Sequence, residues 1–147
     1  MPLPRSRNSE GQAGLDAIHA APGGALIASD FDGTLSPIVA DPMSARAYPG
    51  AAHALSRLAT AVSTVAIITG RPAADAVALG GLADVPGLIV LGHYGAQRWQ
   101  DGQVIAAPDS DGVAQARERL PEVIADLGGV WIEDKGTSLA EIGRAHV

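Results

Sequence analysis

Two aspartates in the first quarter of the chain are spaced so that they could do chemistry together. Asp30 and Asp32 follow an apolar run that begins at Leu26, and Gly33 comes directly after them. Such a run predicts a buried strand, and an extended backbone directs side chains two residues apart to one side. Paired carboxylates repel each other unless a cation lies between them. The pair therefore predicts a site for a hard divalent cation, Mg2+ above all, although Asp-x-Asp-Gly is also an ordinary turn sequence.

A second set of polar residues follows the next predicted strand. Thr69, Gly70 and Arg71 come after a run rich in β-branched residues and stand before Pro72. Because a helix is predicted between the two strands, they form a βαβ unit and run parallel. Their ends then meet at one sheet edge, where a hydroxyl and an arginine suit a phosphate. The alternative is that Thr69 or Gly70 only caps the next helix.

The elements that must position these residues predict an α/β fold with a parallel sheet. Strands with their exits are predicted over 25–35, 64–72, 87–95 and 130–140, with a hairpin over 96–105. Helices are predicted over 49–61, 73–80 and 113–127, the last of them kinked or split by Pro121. Residues 1–24 are expected to form a flexible tail. His93, next to a glycine at a strand end, is either a phosphate or substrate contact or a structural residue.

Composition narrows the class of protein. The 147 residues are 47% hydrophobic but only 3% aromatic, and their net charge is −6. This acidic balance argues against a nucleic-acid surface. No apolar run approaches the roughly 20 residues that span a bilayer. Because cysteine is absent, disulfides and thiolate metal sites are excluded, and the cytoplasm is the simple inference.

The two sets of polar residues resemble motifs of a known superfamily. Residues 30–35, Asp-Phe-Asp-Gly-Thr-Leu, and 68–72, Ile-Thr-Gly-Arg-Pro, are similar to the first two motifs of the haloacid dehalogenase (HAD) phosphatases. The resemblance implies a HAD-like (Rossmannoid) core, with Asp30 as nucleophile, Asp32 as general acid/base and Mg2+ held by both. It also implies phosphate binding by the residues of the second motif, which are Thr69, Gly70 and Arg71.

Two later stretches point to a narrower family. Residues 92–96, Gly-His-Tyr-Gly-Ala, and 132–140 resemble the trehalose-6-phosphate phosphatases. The resemblance implies that the second stretch belongs to an inserted, mobile α/β cap in which Glu133 and Lys135 bind sugar hydroxyls. On this interpretation residues 25–108 form the core and 109–140 begin the cap. The alternative for Glu133 and Lys135 is a surface charge pair that contributes little.

The chain departs from that family in its last part. The family also uses a third-motif lysine and a fourth-motif acidic cluster, whereas Lys135 is the only lysine here. Residues 141–147 resemble a translated sequencing adapter, so we expect a non-native tail and an incomplete, inactive fragment. The complete protein is expected to hydrolyse trehalose 6-phosphate through an aspartyl-phosphate. The alternatives are a phosphatase for another sugar phosphate, or a non-catalytic module that partners a trehalose-phosphate synthase.

Overall fold

The structure is a computed structural model that describes residues 5–108 and 110–143. Its α-helices are α1 Ser9–Ala20, α2 Ala51–Ala59, α3 Ala73–Gly80 and α4 Asp111–Val123. Its strands are β1 Leu26–Ser29, β2 Thr64–Ile68, β3 Ile89–Gly92, β4 Gln97–Gln100, β5 Gln103–Ala106, β6 Trp131–Asp134 and β7 Leu139–Ile142. Short 3-10 helices lie at Pro22–Gly24, Pro42–Ser44 and His93–Gly95. None of the helices within the described residues has the length and apolar character needed to cross a membrane.

Strands β1 to β5 form one sheet whose spatial order follows the chain. The first three strands run parallel, with Ala28 beside Ala66 and Ala66 beside Ile89, whereas β4 and β5 are antiparallel. Helix α2 connects β1 to β2, and α3 connects β2 to β3. The predicted α/β class and parallel βαβ units are therefore confirmed. The carboxyl ends of β1, β2 and β3 lie at the same edge of the sheet.

Strand β1 is shorter than predicted, because the chain turns directly after Ser29. The amides of Leu35 and Ser36 both donate to the carbonyl of Phe31, at 2.9 and 3.0 Å. Gly33 has a φ of +79°, a conformation that glycine adopts without the steric cost of a Cβ. Asp30 and Asp32 therefore lie in a tight loop beyond the strand and not on an extended segment.

The hydrophobic core lies between one face of this sheet and the two connecting helices. Ile67 of β2 and Val90 of β3 are fully buried and belong to the same cluster as Leu55 of α2 and Val77 of α3. The opposite face is open at β1, where Leu26 is 62% exposed. The burial of one face against helices explains why the central strands have strongly apolar sequences.

The hairpin and helix α3 match their predictions closely. Helix α3 has the predicted bounds, and Gly81 ends it with a φ of +60°. The hairpin of β4 and β5 turns at Asp101 and Gly102, as predicted. Trp99 of β4 is 7% exposed and joins the core.

Strands β6 and β7 form a separate two-stranded antiparallel sheet. The prediction of one strand over 130–140 is wrong, because the chain reverses within this stretch. The amide of Lys135 donates to the carbonyl of Ser138 at 2.9 Å, and Gly136 has a φ of +80°. Trp131 of β6 is 52% exposed.

Helix α4 accompanies this second sheet. Ser110 caps it by accepting a hydrogen bond from the amide of Val113 at 3.2 Å, and Arg117 binds Asp134 of β6 at 2.6 Å. Of the two outcomes predicted at Pro121, a kink or a split, the split does not occur, since the helix continues to Val123. It ends four residues before the predicted end.

The predicted tail and domain boundaries are described only in part. Residues 9–20 of the predicted tail form α1, which has no buried residue. Glu141 and Ile142 of the predicted non-native tail belong to β7 and pair with β6. Residues 144–147 of that tail lie outside the described residues, and so does residue 109 at the predicted start of the cap. Flexibility of the tail and the division into core and cap stay predictions.

Candidate active site

The two aspartates lie on either side of a buried aromatic residue. Phe31 is fully buried in the core, so its ring anchors the loop that carries Asp30 and Asp32. The Oδ1 atom of Asp30 accepts a hydrogen bond from the Phe31 amide at 2.6 Å. This bond orients the Asp30 carboxylate, whose other oxygen, Oδ2, has no hydrogen-bond partner in the described part of the chain. Asp30 is therefore oriented and accessible, as a nucleophile must be.

Thr69 is held at the end of β2 by backbone hydrogen bonds. Its amide donates to the carbonyl of Leu91 at 2.9 Å, and its Oγ1 accepts from the amide of Arg71 at 3.2 Å. The residue is 3% exposed. Since Oγ1 is already an acceptor, its hydroxyl proton remains available for an anionic oxygen.

Arg71 binds Asp32 through both arms of its guanidinium group. Nε lies 2.7 Å from Oδ2 and Nη2 lies 2.7 Å from Oδ1, while Nη1 donates to the carbonyl of Pro42 at 2.6 Å. The guanidinium carbon also lies 5.5 Å from the centre of the Phe31 ring. The hydrogen bond with Asp32 raises the pKa of Arg71 above its ordinary value. Arg71 is predicted from the sequence to bind phosphate, but here its N–H donors are directed at the Asp32 carboxylate and the Pro42 carbonyl.

Glu133 and Lys135 form an ion pair above the same site. Lys135 Nζ lies 3.1 Å from Glu133 Oε2, and the side chains are 18% and 50% exposed respectively. Both residues come from β6 and the turn that follows it, whereas the aspartates come from the first sheet. The hairpin therefore contributes a charged pair to the cavity that the phosphate motifs also line.

One cavity brings all seven predicted site residues together. Its volume is about 1110 Å³, slightly above the usual range for small-molecule sites. The predicted residues in its wall are Asp30, Asp32, Thr69, Gly70, Arg71, Glu133 and Lys135. It is thus open enough for a substrate larger than a phosphate ion.

Three further residues near this cavity did not emerge as firm candidates from the sequence. Asp75, in the first turn of α3, and Tyr94 both line the cavity. No sequence motif includes Asp75, and the family-like stretch 92–96 includes Tyr94 without predicting a role for it. His93 is 6% exposed, and its Nδ1 lies 3.5 Å from Thr137 Oγ1. Burial, and then the positive charge of Lys135, lower the pKa of His93. The glycines at positions 92 and 95 were the only signal of an unusual backbone here.

The donor set fits Mg2+ at Asp30 but not at the Asp32 carboxylate. Asp30 offers a hard oxygen donor, Oδ2, that no other described group engages, and Mg2+ binds through one or two carboxylates together with water and substrate phosphates. Both carboxylate oxygens of Asp32 are engaged by Arg71. Within residues 5–108 and 110–143, no three acidic or histidine side chains form a group that could enclose a metal.

Comparisons with known proteins agree on one family. The family model for trehalose-phosphatases matches residues 28–141. The chain is 37% identical over 141 residues to a trehalose-phosphate phosphatase of Mycobacterium avium (strain 104) and 41% identical over 116 residues to that of Mycobacterium leprae (strain TN). These matches cover 85% and 76% of this chain but only 34% and 26% of the relatives. The chain thus spans about a third or less of the length of these curated relatives.

Two solved structures resemble the chain, one a trehalose-6-phosphate phosphatase and the other a protein that shares the fold. Crystal form 3 of Aspergillus fumigatus trehalose-6-phosphate phosphatase is 25% identical, with a TM-score of 0.66 over 97% of this chain and 53% of that chain. A haloacid dehalogenase-like hydrolase from B. subtilis is 18% identical and shares the fold, with a TM-score of 0.56 over 78% of this chain and 38% of that chain.

Proposed function

The chain belongs to the trehalose-phosphatase family of the HAD superfamily, and on that premise we propose that its protein hydrolyses trehalose 6-phosphate to trehalose and phosphate. The observation that supports this activity is a single cavity whose wall contains both aspartates of the first motif and a charged pair from a separate hairpin. A phosphate group and a sugar need different partners, and the cavity offers both kinds.

Asp30 is the proposed nucleophile. Its free carboxylate oxygen attacks phosphorus in line, the bond from phosphorus to the sugar oxygen breaks, and an aspartyl-phosphate forms. Water then attacks the phosphorus of this intermediate, which releases phosphate and restores the carboxylate. The hydrogen bond from the Phe31 amide at 2.6 Å supports this role, because it fixes the carboxylate in one orientation.

Asp32 is the proposed general acid and base. It gives a proton to the departing sugar oxygen in the first step and takes one from the attacking water in the second. Phe31, which lies between Asp30 and Asp32, is anchored in the core. This arrangement supports separate roles for the two aspartates, because it holds both carboxylates close together at fixed positions. Arg71 holds the Asp32 carboxylate from the opposite side.

Thr69 and nearby backbone amides are the proposed partners of the phosphoryl oxygens. The Thr69 hydroxyl and the Asp32 amide are the donors we assign, together with the loop at Gly70. Mg2+, when bound at Asp30, would reduce the repulsion between the carboxylate and the phosphoryl oxygens. Glu133 and Lys135 are proposed to bind sugar hydroxyls and so to select the substrate.

The experiment that tests this proposal replaces the nucleophile. In the full-length protein that contains these residues, Asp30→Asn should abolish phosphate release from trehalose 6-phosphate, because an amide oxygen is a poor nucleophile. Asp84→Asn, in an exposed loop away from the cavity, is the matched control and should keep activity.

A second measurement locates the covalent step. After an acid quench during turnover, mass spectrometry should find the phosphoryl group on the peptide that contains Asp30. Phosphate release by Asp30→Asn at the wild-type rate, or a phosphoryl group on another residue, would contradict the proposal.

A further inference from the structure

We propose that Tyr94 is a specificity-determining contact whose ring supports the sugar part of the substrate between the phosphate motifs and the Glu133–Lys135 pair. This inference rests on the proposed function, since it names a further substrate contact in the same cavity. Tyr94 lies in the 92–96 stretch that resembles the trehalose-6-phosphate phosphatases, but neither its residue type nor its spacing predicts a role for its side chain.

The backbone at Tyr94 has an unusual conformation. His93 and Tyr94 have φ values of +47° and +56°, so two consecutive residues with a Cβ occupy the left-handed region. This region disfavours side chains, and residues held in it concentrate at functional sites. The Tyr94 amide donates to the Thr69 carbonyl at 3.0 Å, and the His93 amide donates to the Arg71 carbonyl at 2.9 Å. The backbone of Tyr94 is therefore bonded to Thr69, the proposed phosphate contact, and that of the preceding His93 is bonded to Arg71, which holds Asp32.

This conformation sends two neighbouring side chains in opposite directions. The His93 side chain is buried, at 6% exposure, whereas Tyr94 is 77% exposed and lines the cavity. An aromatic ring gains stability by burial. No residue of the described chain buries this ring, and a strained backbone that keeps it exposed within a cavity favours a contact with a ligand.

Gly70 fixes the position of the tyrosine ring. A Cβ atom added at Gly70 would lie 2.6 Å from the Tyr94 hydroxyl oxygen and 2.7 Å from its Cζ atom. The tip of the ring thus rests against the backbone of the second motif, while most of its surface remains open. The ring therefore lines the cavity beside the second motif.

The chemistry of the surrounding groups favours a sugar. A sugar ring presents a face of C–H bonds, which packs on an aromatic face, and a rim of hydroxyls, which needs charged or polar partners. Tyr94 supplies the first surface, and Glu133 and Lys135 in the same cavity supply the second. A small phosphate ester would use the phosphate motifs alone.

Nuclear magnetic resonance tests this contact without requiring turnover. The chain has only two tyrosines, Tyr48 and Tyr94, so a sample deuterated in every other aromatic residue has only two protonated rings. Saturation of these ring protons in the 147-residue chain should transfer to the C–H protons of added trehalose 6-phosphate. The transfer should disappear in Tyr94→Ala and persist in Tyr48→Ala, whose tyrosine is exposed but does not line the cavity.

Kinetics of the full-length protein gives a second readout. Tyr94→Ala should lower kcat/KM for trehalose 6-phosphate, relative to kcat/KM for glycerol phosphate, by about tenfold. Tyr94→Phe should restore most of that ratio, because it keeps the ring.

The two proposals fail in different ways. A wild-type protein that shows the saturation transfer but does not hydrolyse trehalose 6-phosphate would refute the proposed function and leave the Tyr94 contact standing. An absence of transfer in the wild-type chain, or a transfer that persists in Tyr94→Ala, would overturn the contact, whatever the catalytic result.

Discussion

The guanidinium group of Arg71 and the carboxylate of Asp32 face each other as a bidentate pair, with both N–O distances at 2.7 Å. The two residues come from the ends of adjacent parallel strands. A planar fork of this kind fixes both the position and the plane of a carboxylate, which a single point charge does not do. Because Asp32 is the proposed general acid and base, Arg71 has the geometry of a positioning residue for proton transfer.

Arg71→Lys should therefore lower kcat for trehalose 6-phosphate more than it changes KM. Lysine keeps the charge but loses the fork, and poor orientation of a catalytic group costs on the order of 10²-fold in rate. Steady-state kinetics of the full-length protein separates the two constants, with the exposed Arg57→Lys of α2 as the control. A raised KM at unchanged kcat would instead support the original expectation that Arg71 binds the phosphate.

The pair Glu133→Ala and Lys135→Ala should impair the sugar substrate selectively. We expect kcat/KM for trehalose 6-phosphate to fall by about 10²- to 10⁴-fold, because hydrogen bonds to charged groups each contribute roughly 1.5–3 kcal/mol and the double variant removes two. Hydrolysis of glycerol phosphate should fall much less. The matched control removes two exposed charges from α4, Glu118 and Arg119. Equal losses for both substrates would show that the pair does not select the sugar.

Gly92→Ala should destabilise the fold around the second motif. A Cβ at Gly92 would overlap the backbone nitrogen of Ala73 and lie 2.7 Å from its Cα, so the end of β3 and the start of α3 would have to separate. Overpacking of this kind costs about 1–3 kcal/mol. Urea unfolding measures the change, and Gly23→Ala, which has open space around it, is the control. An unchanged free energy of unfolding would mean that the two elements separate freely.

His93 should make the stability depend on pH. Burial and Lys135 lower its pKa in the folded state, partly opposed by the charges of Asp75 and Glu133. As pH falls through about 6.5, the unfolded chain therefore binds this proton before the folded chain does, and the free energy of unfolding decreases until pH reaches the lower folded pKa.

His93→Asn should reduce this dependence, since asparagine tolerates a positive φ and does not titrate. The comparison is urea unfolding of both proteins at pH 7.5 and pH 5.5, with His53→Asn on the exposed face of α2 as the control. A loss of stability on acidification that is the same in His93→Asn would assign the effect to other groups.

Local sequence patterns predicted the bounds or the turn correctly where a proline, a glycine pair or an apolar run marks the element clearly. Helix α3 has the predicted bounds because Pro72 precedes it and Gly81 ends it in a left-handed conformation. The hairpin turn at Asp101 and Gly102 follows from the residues that positive φ requires. The parallel sheet followed from apolar runs separated by a helix.

The errors arose where a turn was hidden inside an apolar or alternating run. The predicted first strand continued past Ser29 because Phe31 and Leu35 are apolar, yet both belong to a turn that packs on the core. Strands β6 and β7 were predicted as one because a turn that begins at Lys135 interrupts the alternation for only a few residues.

The candidate site was predictable in its residues but not in their pairing. Motif spacing identified Asp30, Asp32 and Thr69, and the cavity contains all three. The bond between Arg71 and Asp32 joins residues 39 positions apart, and no local pattern reveals such a contact. Tyr94 was missed for a related reason, since its exposure depends on backbone angles that the tyrosine itself disfavours.

The two tryptophans divide between the two sheets, and this gives the protein a pair of intrinsic optical reporters. Trp99 lies within the hydrophobic core of the larger sheet, whereas Trp131 of the small hairpin is half exposed to water. Their emission maxima should differ, with the buried indole further to the blue. Melting of either sheet can then be followed by fluorescence at its own wavelength, without the addition of a dye.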